Sequence, residues 1–281
     1  MKLIECPRDA MQGLDRFVPT EVKVQYLNQL LKVGFDTLDF GSFVSPKAIP
    51  QMRDTAEVVE KLDLSSTKTK LLAIVANVRG AEAAVGFDQI SYLGFPLSVS
   101  ETFQRKNTNK TIEEAFGEVS EIQNLCLKSG KQAVIYLSMG FGNPYGDPYS
   151  PEIVEQFTEK LVAMGIQIIA PSDTIGSSSV DDIKSIFGHL LKKFPQTEFG
   201  AHLHAKPNHV AKKVKAAYKT GIKRIDCAVR GFGGCPLAED ELVGNLATET
   251  VMNELNHLGA KLEIDEMQLA QAMLASQYVF G

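Results

Sequence analysis

The chain has 281 residues, 44% of them hydrophobic and 22% charged, the balance of an ordinary globular protein with room for one large domain, taken here as residues 1–281. A net charge of −5 with scattered lysines and arginines gives no basic stripe able to neutralise a run of phosphates, which excludes nucleic acid as a partner. No apolar run is long enough to cross a bilayer, the first residues lack the pattern of a signal peptide, and the four cysteines are widely spaced, so reduced thiols in the cytoplasm are expected.

In chain order, short runs rich in Val, Ile and Leu alternate with longer segments of helical period. Strands are predicted at Leu3–Glu5, Phe35–Asp39, Lys70–Ile74, Gln89–Leu93, Ala133–Leu137, Ile166–Ala170, Glu198–His202 and Arg224–Cys227. Between the first two, Thr20–Val33 reads as a helix with Thr20 as its N-cap and Gly34 as its stop. Asn109–Leu127 and Pro151–Met164 read the same way, the latter with Ser150 as cap, Pro151 in the first helical position and Gly165 at its end. About eight such units fit an α/β fold, a (β/α)8 TIM barrel with an extra C-terminal helical segment, which typically needs about 250 residues. A doubly wound open sheet is the competing fold, and the placement of unusual polar residues separates the two.

In a barrel, reactive residues come from the C-terminal ends of several strands. Here the first strand is followed by Arg8, Asp9 and Gln12, the second ends in Asp39 and runs into Ser42, and the sixth is followed by Ser172, Asp173 and Thr174. The seventh ends in His202, Leu203 and His204, whose alternation puts both imidazoles on one face. Asp9 adds a hard oxygen donor nearby, and the set suits an octahedral Mg²⁺ or Mn²⁺ better than a closed zinc site. Arg8 is either half of a turn salt bridge or, on an inward rim, the donor fork that an enolate oxygen requires. The glycine-rich stretch Gly231–Pro236 lacks the spacing of a phosphate cradle. It reads as a plain flexible loop or as a lid that brings Cys235 and Asn245 over the site, with the thiol either reactive or inert.

Taken together and in order, the segments Pro7–Gln12, Gly41–Lys47, Asp173–Gly176, His202–His204, Gly233–Pro236 and Gly244–Glu249 resemble the motifs of the 3-hydroxy-3-methylglutaryl-CoA lyases over nearly the whole chain. The resemblance implies a divalent metal, Mg²⁺ or Mn²⁺, held by Asp9, His202, His204 and Asn245. It implies a catalytic set of Arg8, Asp9, Asp39, His202 and Cys235, with Cys235 on a loop over the site. Arg8, Gln12, Ser42, Asn107 and Asp173 are implied at the substrate, Asn107 near the CoA chain. The implied partner is an acyl-CoA, the implied assembly a homodimer, and the implied chemistry the carbon–carbon cleavage of leucine breakdown and ketone-body formation.

Three features depart from that pattern. Asp39 stands where the lyases carry Glu, His204 is followed by Ala205 where an acidic residue is usual, and the loop from Cys235 to Asn245 is one residue longer. The rivals are a related 3-hydroxy acyl-CoA aldolase, a Claisen-condensing enzyme of the same barrel type, a biotin-dependent carboxyltransferase and a non-catalytic metal-binding barrel. The carboxyltransferase needs a lysine where Ser172 stands.

Overall fold

Parallel strands covered on both faces account for the nearly unbroken apolar runs. In the computed structural model, which describes residues 1–234 and 243–281, these are β1 (Lys2–Glu5), β2 (Thr37–Ser42), β3 (Lys70–Ile74), β4 (Ile90–Ser98), β5 (Gln132–Ser138), β6 (Ile168–Asp173), β7 (Glu198–Ala205) and β8 (Arg224–Cys227). Each pairs in parallel with the next, and β8 returns to β1 through Lys2–Arg224 and Glu5–Cys227 registers, so the sheet closes. Closure decides for the barrel over the open sheet. A two-residue strand, β9 (Gly244–Asn245), adds antiparallel to β7, opposing Asn245 to His204.

Helices follow the strands: α1 (Pro7–Gln12), α2 (Thr20–Leu31), α3 (Thr55–Lys61), α4 (Val78–Val85), α5 (Glu101–Thr108), α6 (Ile112–Lys128), α7 (Pro151–Ala163), α8 (Val180–Lys193), α9 (Val210–Thr220), α10 (Thr248–His257) and α11 (Glu266–Phe280). Their apolar faces meet the outside of the barrel in one continuous core that includes Leu27, Leu30, Val119, Ile122, Ile183 and Phe187. Among the described residues no helix is long and apolar enough to cross a membrane.

All eight strands occur, but several run further toward their C-terminal ends than the sequence suggests, β4 as far as Ser98 and β6 as far as Asp173. The parallel ladder continues through the polar residues of the mouth, which a hydrophobic pattern reads as the strand's end. Helix starts also shift. Pro19, not Thr20, caps α2, and Thr20 is its first residue, its hydroxyl donating to Asp54 Oδ2 at 2.8 Å. Asn109 does not open a helix: in the left-handed region at φ 57° it closes α5, and α6 starts behind a capping box of Thr111 and Glu114. Ser150 does cap α7 as expected, accepting from Ile153 N.

The extra C-terminal helix is α11, which packs on α2. Gly34 turns between them at φ +94°, where a Cβ would lie 2.6 Å from Glu263 O. At the far end of α11, Phe280 meets Tyr26 edge-on at 6.0 Å and stacks on Phe232 at 4.3 Å.

Candidate functional site

The polar residues singled out at the strand ends converge at the barrel mouth. Asp9 comes from α1 just beyond β1, His202 and His204 from β7, and Asn245 from β9. Donor atoms of Asp9, His202 and His204 all lie within 4.8 Å of one another, and the two imidazole centroids are 5.2 Å apart. Each imidazole is oriented through its Nδ1: that of His202 lies 3.1 Å from Asp226 Oδ2, that of His204 3.0 Å from the Thr174 carbonyl. His204 Nε2 is buried and has no hydrogen-bond partner among the described residues. An orphaned ring nitrogen facing a carboxylate and a second imidazole fits a divalent cation, since a buried acceptor without a partner is otherwise costly. Asn245 donates its amide to Asp9 Oδ2 at 2.8 Å and to the Phe232 carbonyl at 2.9 Å, which leaves its own carbonyl oxygen as the donor to offer.

Charge at the mouth is set by the same contacts. Burial would raise the Asp9 carboxyl, but Arg8, His202, His204 and the Asn245 hydrogen bond hold it below its ordinary value. Burial, then the neighbouring His202 charge, lowers His204, keeping it a neutral donor. His202 goes the other way: burial opposes its charge, yet the hydrogen bond and charge of Asp226, followed by Asp9, raise it.

Beside the cluster, Arg8 is almost fully committed. Its Nε lies 3.0 and 3.2 Å from the two Asp39 oxygens, Nη2 donates to Asp39 Oδ2 at 2.5 Å, and Nη1 donates to Asp9 Oδ1 at 3.1 Å and Gln12 Oε1 at 2.9 Å. Gln12 closes the ring by donating to Asp9 Oδ1 at 2.8 Å. Of the five N–H groups of a guanidinium, one on Nη2 is not engaged by these bonds. Burial pushes Asp39 up to about 6 against the pull of Arg8, which leaves it ionised at neutral pH. A register shift between Asp39 and Gly41 bulges β2 at this point and carries the strand on to Ser42, whose Oγ is buried without a partner among the described residues.

Other expected site residues sit apart from this cluster. Asn107 is exposed on α5. Asp173 is buried with its carboxylate accepting from Ser178 N and Oγ and from Lys213 Nζ at 2.5 Å, and Lys213 also donates to the His204 carbonyl at 2.9 Å. Asn245 belongs to a short strand paired with His204. Cys235, and with it the lid expectation, lies outside the described residues.

Sequence reasoning missed Asp226, Thr174 and Lys213. Asp226 had a signal: Arg224 and Asp226, two apart on a strand, put two charges on one face. Lys213 had one too, as a lysine among Val210, Val214 and Ala217 on the buried face of α9. The Thr174 carbonyl had none.

A closed eightfold barrel whose mouth carries two imidazoles, a carboxylate and an arginine with all but one of its N–H groups engaged belongs to the class of (β/α)8 enzymes with a candidate metal site at the strand ends. Within that class the chain belongs to the HMGL-like family, whose profile matches residues 3–275. It is 32% identical to mouse "Hydroxymethylglutaryl-CoA lyase, mitochondrial" over 97% of this chain and 83% of that protein. It is 30% identical to the rat "3-hydroxy-3-methylglutaryl-CoA lyase, cytoplasmic" over 97% of this chain and 79% of the relative. Among solved structures, an HMG-CoA lyase of A. baumannii in complex with coenzyme A and 3-methylmalate superposes with a TM-score of 0.91 at 31% identity, covering 99% of this chain and 91% of that one.

Proposed function

We propose that this protein, acting as a single catalytic domain, is a carbon–carbon lyase that cleaves 3-hydroxy-3-methylglutaryl-CoA to acetyl-CoA and acetoacetate. Family membership supports the reaction. The observation that carries it is the buried, unpartnered His204 Nε2 within reach of Asp9 and His202. Asp9, His204 and Asn245 would hold Mg²⁺ or Mn²⁺, with His202 as a fourth donor whenever it is not carrying a proton. An ion bound there supplies positive charge that lowers the pKa of the substrate's 3-hydroxyl.

Cleavage moves the C2–C3 electron pair onto the thioester as an enolate, while the 3-hydroxyl loses its proton and becomes the ketone of acetoacetate. Arg8 meets the enolate oxygen with its uncommitted N–H. Because Asp39, Asp9 and Gln12 fix the rest of the guanidinium, the donor needs no reorganisation as charge develops. Asp9 accepts the hydroxyl proton. His202, raised by Asp226, delivers a proton to C2, and His204, lowered, stays a ligand. Ser42 and Gln12 meet the acyl group, Asn107 the CoA chain, Cys235 belongs to the catalytic set, and Asp173 acts through Lys213 and His204.

Incubating the protein with 3-hydroxy-3-methylglutaryl-CoA and Mg²⁺ tests this, with acetoacetate as the expected product. No acetoacetate with or without thiol reductant would sink it, and a panel of related 3-hydroxy acyl-CoA thioesters would then show whether Asp39 and Ala205 select another chain.

We also propose a homodimer, acting in the cytoplasm, although the relatives include mitochondrial enzymes as well. Among the described residues, three of the four large exposed hydrophobic side chains, Met267, Leu274 and Tyr278, lie on one face of α11. Light scattering should give twice the chain mass and, after Leu274→Glu with Tyr278→Glu, the mass of one chain. A monomeric parent protein overturns the assembly.

A further inference from the structure

Below the mouth the barrel interior is divided in two. On the side of β3 to β6 the inward side chains Leu72, Ile74, Tyr92, Val134, Tyr136 and Ala170 form an apolar cluster. The wall of β7 and β8 instead carries Glu198, Arg224 and Asp226. Arg224 is fully buried, and none of its three guanidinium nitrogens has a hydrogen-bond partner among the described residues. Its Nε lies 3.7 Å from Asp226 Oδ1 and its Nη1 lies 3.9 Å from Glu198 Oε1, too far for direct hydrogen bonds. Those two oxygens and the Tyr136 hydroxyl are themselves buried and unpartnered. Gly200 makes room for the guanidinium, since a Cβ there would sit 3.0 Å from Arg224 Cδ.

An arginine inside a barrel is expensive to desolvate, and an apolar side chain of similar volume is often no less stable. Its consequence lies upward. Asp226 has Oδ1 facing Arg224 Nε at 3.7 Å and Oδ2 against His202 Nδ1 at 3.1 Å, so the guanidinium charge below favours the rotamer that meets the imidazole. An imidazole that donates through Nδ1–H has Nε2 as its lone-pair nitrogen, and that is the nitrogen left to turn toward Asp9 and His204.

We propose that Asp226 is the positioning residue for His202, and that Arg224, seated in the notch at Gly200, holds Asp226 through water enclosed between the guanidinium, Glu198 and Tyr136. This builds on the reading of the mouth as a cation site. It also makes an unusual demand on Asp226→Asn. Beside the Arg224 cation the amide turns its oxygen down and its NH₂ up toward His202, which favours the Nε2–H tautomer and blinds the ligand nitrogen. Removing the cation as well, in Asp226→Asn with Arg224→Met, frees the amide to turn back.

Two measurements on the intact chain decide it. In metal-free protein, imidazole ¹⁵N shifts should report the Nδ1–H tautomer of His202 in the parent, the Nε2–H tautomer in Asp226→Asn, and a return toward Nδ1–H in the double variant. Titration with Mn²⁺ alone, read by electron paramagnetic resonance, should show binding weakened about 10- to 100-fold in Asp226→Asn and recovered by about fivefold or more in the double variant. A merely structural role would lower melting temperatures in both variants and move neither readout. An unchanged tautomer and Mn²⁺ affinity in Asp226→Asn overturns the role of Asp226, and a double variant no better than the single overturns that of Arg224. A parent that binds no Mn²⁺ sinks the cation reading of the mouth, while the tautomers still decide for Asp226.

Discussion

Glu5 and Asp9 are four residues apart in sequence and both buried, yet the wall behind β1 and the mouth above it treat a carboxyl group in opposite ways. Glu5 faces outward from the barrel, where Val229 N just after β8 donates to it at 2.8 Å and the Thr248 hydroxyl at the start of α10 lies 2.6 Å away. Burial, outweighing those two contacts and helped by the charge of Glu249, pushes it up to about 8. Asp9, with Arg8 and two imidazoles around it, is held below its ordinary value. Burial alone makes a carboxyl group neutral, a structural hydrogen-bonding group. Only a surrounding set of cations keeps a buried carboxylate available as a ligand and base.

The comparison breaks most severely at Asp9 itself. Asp9→Asn preserves shape but removes the charge, and it is expected to weaken Mn²⁺ binding by more than about a hundredfold, since loss of an outer partner alone costs 10- to 100-fold. Calorimetric titration checks this, and a variant that bound as the parent does would remove Asp9 from the ligand set. Next comes Arg8→Lys, which keeps a cation beside Asp9 and Asp39 but loses the planar fork. Turnover should fall about a hundred- to a thousandfold, roughly 3–4 kcal/mol of transition-state stabilisation, with Mn²⁺ affinity little changed. Steady-state kinetics beside a metal titration separate the two, and near-normal turnover would dismiss Arg8 from the chemistry.

The smallest effect sharpens the other half. The unfolded Glu5 carboxyl titrates near 4.5 and the folded one near 8, so between these values the native state holds a proton that the unfolded chain has released. The stability this contributes is complete below the unfolded value and is lost as pH rises through the folded one. Between pH 6 and pH 8 the parent should lose about 2 kcal/mol from this group, and Glu5→Gln should not. Urea melts at the two pH values measure it, with the difference between variant and parent isolating Glu5 from His202 and Asp39. Equal pH dependence in both proteins would show that Glu5 is ionised in the fold.

What could be read from the sequence was whatever expresses itself in side-chain type and spacing. The alternation of His202 and His204, and Asp9 just beyond the first strand, announce a convergent donor set because the C-terminal ends of a barrel's strands meet in one place. Asn245 was readable as a candidate beside His204 but not as a strand residue: a two-residue pairing with β7 is made by tertiary contact, and its glycine-rich approach looks like a loop. The Thr174 carbonyl that orients His204 is backbone, present at every position, and so leaves no trace in the sequence. Asp173 was legible as a conspicuous polar residue at a strand end, but its surroundings were not. Its actual partners, Ser178 and Lys213, are fixed only when α8 and α9 pack.

The stacking of Phe280 on Phe232 gives the last helix a reach beyond its own packing. Phe232 accepts from Asn245 through its carbonyl, and Asn245 also donates to Asp9, so a ring contributed by α11 stands two contacts from Asn245 of the proposed cation site. In genetic terms, a missense change that removes the Phe280 ring would behave as an active-site allele rather than as a harmless substitution.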